Sequence, residues 1–319
     1  MTIPELLAQR SRTAFSFEIL PPLKGAGLDR LRRAVETLRE FQPAYINITT
    51  HSSEYVYRER EDGLLQRTVL RRRPGTVAVA AALQYEYGIP IVPHILCQGF
   101  TREETEYVLL DLQFLGMTNL LALRGDKPKV PHISKPDQQG ETNTHATDLI
   151  AQINDFNHGR FIDGTEMEAP ARPFAYGVAC YPEKHEEAPN AQEDMEWFKR
   201  KVELGAQYGV TQLFYDNAAY FDFVNRARAA GINVPIIPGL KPFTRLTQLT
   251  TIPKTFHCDL PEALVKEAAC CKTDDDARQL GIEWSITQAR ELIAAGVPGI
   301  HFYSMGAAES IKDIAKAVY

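Results

Sequence analysis

Eight short apolar runs, rich in β-branched and aromatic residues, recur along this chain, and each is followed by a longer amphipathic stretch. That rhythm restricts the fold to repeated βα units around a parallel sheet. The runs are residues 15–19, 44–49, 89–95, 119–123, 174–179, 211–215, 235–240 and 299–303. Helices are expected near 28–41, 64–86, 101–115, 145–157, 190–208, 218–230, 276–295 and 307–318. In the first of these, Leu28, Leu31, Val35 and Leu38 recur at the three- and four-residue spacing that one buried stripe requires. Eight such units ending on a helix predict an α/β fold, a single (β/α)8 TIM barrel over residues 1–319 as one domain.

Two stretches interrupt the rhythm. Lys127–Thr144, rich in Pro, Gly and polar residues, follows a strand and is expected as a loop insertion on the side where barrels bind ligands. Gly159–Arg172 follows a helix and belongs to the opposite, stabilising face.

Composition narrows the partners. With 44% hydrophobic and 24% charged residues the chain can bury a large core. A net charge of -6 gives no reason to expect nucleic acid or an anionic membrane as partner. The run Arg71, Arg72, Arg73 before Pro74 and Gly75 reads as a solvated helix end, with phosphate binding as the alternative. The first residues lack the apolar core of a signal peptide, and no apolar run reaches the roughly 18 residues of a membrane span, so a cytoplasmic protein is expected. Five cysteines form no CxxC and are expected as reduced thiols. Vicinal Cys270 and Cys271 read as buried small residues on a helix, or as a metal or redox pair. A P-loop, an HExxH zinc site and a GxSxG elbow are absent, and no metal is expected. GAGLDR at Gly25 fails as a dinucleotide fingerprint because Arg30 replaces its third glycine.

In a (β/α)8 barrel the active site is built at the C-terminal ends of the strands. There the sequence places Glu18, Thr49, His94, Arg124 with Asp126, and Tyr181 at the first five strands, and Gln212 within the sixth. Glu18, flanked by Phe15, Phe17, Ile19 and Leu20, is a carboxylate in an apolar strand, which is costly unless it is paired or functional. His94 reads either as part of this mouth or as a core histidine satisfied by a carbonyl. Asp126, in LALRGD, is either a functional carboxylate or half of an Arg and Asp turn pair, and its place after a strand favours the first. Between 181 and 206, Tyr181 and His185 precede a helix carrying Asp194, Arg200 and Lys201 near one face. That helix is either a solvated charged surface or an edge for phosphate and ribose.

FSFEILPP, YINITT, VPHILC, LALRGD, CYPEKHEEA, FKRKVELGA, VTQLFYD, IIPGLKP and HFYS, in this order and one after another along the barrel, resemble the methylenetetrahydrofolate reductase family. The resemblance runs nearly end to end. It implies an FAD-dependent barrel that reduces 5,10-methylenetetrahydrofolate to 5-methyltetrahydrofolate, with NADH or NADPH supplying hydride in a ping-pong cycle. Glu18 then matches the acid that protonates N10, and Asp126 the carboxylate near the flavin that stabilises an iminium cation. Gln212 and Gln248 match positions that hold the pterin and the nicotinamide, and Thr49 contacts nicotinamide and flavin. His94, Arg124, Gly125, Ala146, Tyr181, His185, Ala188, Asp194, Arg200 and Lys201 match the FAD shell. Trp197, Ala307 and Ile252 depart from the family's best-known bacterial form. Relatives are homo-oligomers, so self-association is the default expectation. Two other readings stay open: another flavin barrel oxidoreductase resembling proline dehydrogenase, and a non-catalytic subunit that binds flavin or folate.

Overall fold

The computed structural model describes residues 1–125, 141–170 and 172–319. Eight strands, β1 (Ala14–Ile19), β2 (Tyr45–Ile48), β5 (Ile91–Leu96), β6 (Asn119–Leu123), β7 (Ala175–Cys180), β8 (Tyr208–Leu213), β9 (Ile236–Leu240) and β10 (Gly299–Tyr303), form a closed barrel in the order β1-β10-β9-β8-β7-β6-β5-β2. Neighbours pair in parallel all the way round. Both faces of such strands are buried, which is why they read as short continuous apolar runs. The run expected at 211–215 starts three residues and ends two residues earlier, as β8, where the register shifts between Val210 and Leu213. Phe214 and Tyr215 are buried just past its end and had extended the apolar pattern.

Alternation along β1 decides what the barrel encloses. Phe15, Phe17 and Ile19 pack outward in the main core, where Phe15 meets Phe302 at 5.6 Å and Tyr319 at 5.4 Å between ring centres. Ser16 and Glu18 therefore face the interior. Outside the barrel, α2 (Asp29–Leu38) buries Leu31, Val35 and Leu38 as its spacing predicted. Each such burial stabilises by about 1.5–3 kcal/mol. The helices α4 (Arg102–Phe114), α5 (Ala146–Asn157), α6 (Ala191–Glu203), α7 (Asn217–Ala229), α10 (Asp274–Ala294) and α11 (Ala308–Val318) follow their strands as expected, with α6 ending before the expected 208.

The N-terminal end of the barrel is plugged by α1 (Ile3–Ala8), whose Ile3 and Leu7 pack on Tyr45, Val92, Leu121, Tyr208, Val210 and Ile237. Asn119 fastens the plug: its Oδ1 accepts from Ile3 N at 3.1 Å and its Nδ2 donates to Met1 O at 3.0 Å. Residues 159–170 also lie on this side, after α5. Gly159 has φ +73°, and a Cβ there would fall 2.1 Å from Met167 O, so the turn requires glycine.

Three expectations are corrected. Residues 64–70 are not helical: β3 (Glu54–Glu59) and β4 (Leu65–Leu70) form an antiparallel hairpin, and the helix is only α3 (Thr76–Tyr87). Asp62 Oδ1 caps its turn from Leu64 N at 3.1 Å, and Gly63 has φ +76°. Arg71–Arg73 consequently do not end a helix. They join the hairpin to α3, with Arg71 Nε on Ser53 Oγ at 3.3 Å and Arg73 donating to Pro21 O. Finally, α8 (Gln248–Phe256) and α9 (Glu262–Cys270) were not expected, and they leave Cys270 exposed and Cys271 half-buried rather than within a core.

Candidate active site

The strands change character along their length. Toward their C-terminal ends the inward positions become polar: Glu18 on β1, Asn47 on β2, His94 on β5, His301 and Tyr303 on β10. The Glu18 side chain is 12% exposed, and its ionisable neighbour is His94, with Nε2 at 3.7 Å from Oε2. Burial pushes the Glu18 carboxyl up to about 8. Burial, and then the positive field of His51, push His94 down to about 3. At neutral pH the two therefore form an uncharged acid beside a neutral imidazole, not an ion pair. Asn47 Nδ2 donates to His94 Nε2 at 3.1 Å, which puts the imidazole proton on Nδ1.

The backbone around this acid is held from several strands. Ser304 Oγ donates to Glu18 O at 2.5 Å, and Thr50 Oγ1 to His94 O at 2.5 Å. Tyr303 OH donates to Thr211 O at 2.6 Å, and Ser16 Oγ meets His301 Nδ1 at 3.0 Å. Three buried polar atoms of this layer, Asn47 Oδ1, Thr49 Oγ1 and His301 Nε2, have no hydrogen-bond partner among the described residues. Unspent capacity in a buried layer is costly unless a ligand uses it.

A second group lines the edge from β6 to α6. Arg124 is ion-paired with Glu187, whose hydrogen bond raises the guanidinium further. Gly125 has φ +87° and packs 3.4 Å from Gln98 Cβ, measured from where its own Cβ would be, so only glycine fits without strain. Tyr181 and His185 meet edge to face at 4.7 Å, and His185 N donates to Asp194 Oδ2 at 3.2 Å. Burial raises Asp194 and lowers Lys201, whose Nζ donates to Ala179 O at 2.6 Å. Lys184 Nζ donates to Ala188 O at 2.6 Å and so fixes the loop before α6, keeping Ala188 buried.

Not every expected residue joins these groups. Arg200 does not share the face of Asp194 and Lys201: six residues at about 100° each displace it by roughly 120°, and it is exposed. Its guanidinium lies 5.6 Å from the Trp197 ring, which stacks on His145 at 6.4 Å, next to Ala146 at the start of α5. Thr49 follows β2 and donates its N–H to Ile19 O at 3.1 Å. Gln212 Oε1 accepts from Leu213 N at 2.9 Å, and Gln248 Oε1 accepts from Thr244 N at 2.6 Å and Arg245 N at 3.1 Å. Neither glutamine bonds to Glu18 among the described residues. Asp126, and the part of the Lys127–Thr144 insertion up to 140, lie outside the described residues. Asn47, His301, Tyr303 and the buried Lys241 were not among the expected site residues. Period-two alternation within YINI and GIHFY is the signal that would have found the first three.

The family model described as methylenetetrahydrofolate reductase matches residues 3–319. This chain belongs to that family. Among curated relatives, "5,10-methylenetetrahydrofolate reductase" of Salmonella typhimurium is 28% identical, over 92% of this chain and 86% of its own length. "Methylenetetrahydrofolate reductase 1" of Schizosaccharomyces pombe is 27% identical over 96% of this chain but 46% of its own length. "Probable methylenetetrahydrofolate reductase (NADPH)" of Caenorhabditis elegans is 28% identical over 98% of this chain and 43% of its own. The chain thus spans about half the length of these eukaryotic members of the methylenetetrahydrofolate reductase family. Among solved structures, a Clostridium thermocellum protein described as binding two copies of 5-methyl-5,6,7,8-tetrahydrofolic acid superposes with TM-score 0.61, at 14% identity, over 99% of this chain and 98% of its own. A tryptophan synthase structure from M. tuberculosis superposes with TM-score 0.51 at 13% identity, over 99% of this chain and 96% of its own. The barrel alone therefore does not assign a reaction.

Proposed function

We propose that this chain reduces 5,10-methylenetetrahydrofolate to 5-methyltetrahydrofolate, with Glu18 as the proton donor. One observation carries the reading: a carboxyl group at the barrel mouth that burial keeps protonated to about pH 8, without a cation to ionise it among the described residues. Opening the imidazolidine ring needs a proton on N10 as the bond from N10 to the bridging carbon breaks, leaving an N5 iminium cation that accepts hydride at that carbon. A neutral acid can give that proton, and an ionised carboxylate cannot. The carboxylate left behind then faces the cation it has created. Family membership across residues 3–319 and the names of the relatives support the substrate, as does the folate bound by the Clostridium thermocellum protein.

The residues present fit FAD. Arg124 and Lys201 suit its phosphates, Asp194 suits ribose hydroxyls, Gly125 supplies the positive-φ turn after β6, and the unpartnered Thr49 hydroxyl sits one residue past β2. When bound, FAD supplies hydride chemistry and is replenished by NADH or NADPH. Asp126, by the family resemblance, adds negative charge near the iminium. The five cysteines are free, and no helix among the described residues is long and apolar enough to cross a membrane. We place the reaction in the cytoplasm, in a self-associating protein.

The test is the anaerobic absorption spectrum of the FAD-loaded protein. Bleaching by a reduced nicotinamide nucleotide, followed by reoxidation on adding methylenetetrahydrofolate, is expected. Reoxidation by a pyrroline instead would favour the proline dehydrogenase-like reading. Bound flavin with no turnover would favour a binding subunit.

A further inference from the structure

Lys241 follows β9 directly, at the C-terminal end of the barrel, and is only 6% exposed. Along β9 the inward positions alternate: Ile237 packs in the barrel interior, and a Cβ on Gly239 would lie 2.6 Å from the Tyr303 ring and 2.4 Å from Thr211 O. Continuing that alternation puts Lys241 on the interior side, one rung above Gly239. Its ammonium makes no hydrogen bond and no ion pair among the described residues. The charged group that acts on it is another cation, Arg245, four residues on, and both burial and that cation push the lysine down. The turn between them is rigid: Gln248 Oε1 accepts from Thr244 N, Thr244 Oγ1 and Arg245 N at 2.6, 3.2 and 3.1 Å. These bonds occupy the glutamine's oxygen and leave its amide N–H groups as further donors.

The stem of Lys241 is buried while its ammonium keeps contact with the open mouth, and the charge that acts on it is a second cation in place of an anion. Gly239 admits the Tyr303 ring on the rung below, and above it Lys241 and Arg245 put two cations on one turn at the barrel mouth, with no anion paired to Lys241 among the described residues.

We propose that Lys241, supported by Arg245, binds an anionic oxygen of a ligand entering the barrel mouth. The inference rests on the reading above, under which two entering ligands carry such a group: the folate through the carboxylates of its glutamate, and the nicotinamide nucleotide through its phosphates. Lys241 is a binding residue here, and the proton transfer stays with Glu18.

The experiment compares FAD-loaded wild type with Lys241→Met and Lys241→Arg. Affinity is measured for 5-methyltetrahydrofolate on the reduced protein and for NAD+ and NADP+ on the oxidised protein. Each is paired with a truncated partner lacking the anion, 5-methyltetrahydropterin and nicotinamide. Lys241→Met is expected to weaken one full-length ligand by ~30-fold, the loss typical of a charge-assisted hydrogen bond, and to leave its truncated partner within about twofold. Lys241→Arg is expected to recover most of that affinity, and Lys241→Met to melt no lower than wild type because it keeps the buried stem and removes only an unpaired charge. Loss confined to folate assigns the carboxylate, and loss confined to the dinucleotides assigns the phosphate. Unchanged affinity for both, or an equal loss for truncated ligands, overturns the proposal while leaving the folate reaction standing. If wild type binds neither folate nor nucleotide, the functional reading falls and the proposal with it.

Discussion

The two ends of the barrel interior are lined by the same strands and differ in almost every chemical respect. At the N-terminal end, Tyr45, Val92, Leu121, Tyr208, Val210 and Ile237 close around the plug of Ile3 and Leu7, and the space is apolar. Two residues further along β2 and β5, or roughly 7 Å, the inward positions are Asn47 and His94, with Glu18 and Tyr303 beside them. The difference teaches where a barrel stores stability and where it spends it. One layer is apolar save for the hydroxyls of Tyr45 and Tyr208, the first of them without a partner; the other holds a carboxylic acid, two imidazoles kept neutral by burial and three buried polar atoms without partners among the described residues.

Substitutions at the two ends should therefore separate cleanly. The largest effect is expected from Glu18→Gln, which keeps the shape of the side chain but cannot give up a proton. Reoxidation of the reduced flavin by folate should slow by ~10²–10⁴, the usual worth of a general acid, while reduction of the flavin by the nucleotide is unchanged. Stopped-flow measurement of the two half-reactions checks this, and equal slowing of both would remove Glu18 from the proton transfer. Next comes Leu121→Ala in the lower layer, expected to cost ~2–5 kcal/mol in urea unfolding with half-reaction rates intact in the folded protein. Slower chemistry from that substitution would mean the two layers are not independent.

The barrel was legible because strands buried on both faces leave short apolar runs, and those at 119–123 and 299–303 coincide with β6 and β10. The hairpin was not. Its Leu65 and Val69 are 66% and 54% exposed, so neither face of β4 is patterned by a core, and the leucines mimicked the helix that follows. The α8 helix carries Pro253 inside it and gave no clean period. The start of α1 is written in the sequence as the Thr2 and Glu5 capping box. The places of Glu18, Thr49 and His94 at or near the ends of strands were legible in the sequence. The burial of Lys241 was not, because it lies beyond the end of β9, where the strand pattern stops and the turn is set by Gln248 Oε1 accepting from Thr244 N. The expected shared face of Arg200 with Asp194 does not hold, because six residues carry a helix well past a whole number of turns.

The central claim is that Glu18 is a neutral acid in the folded protein. Its folded-state value lies above the unfolded one, so it contributes stability that is fully present below about 4.5 and lost as the pH rises through about 8. At most the loss is roughly 4–5 kcal/mol, at 1.36 kcal/mol per pH unit. The direct measurement is the infrared difference spectrum of wild type against Glu18→Gln across this range, following the carbonyl stretch of the protonated carboxyl. A band present at pH 7 that titrates away with a midpoint near 8 is the predicted result. A carboxylate already ionised at pH 6 would contradict the account.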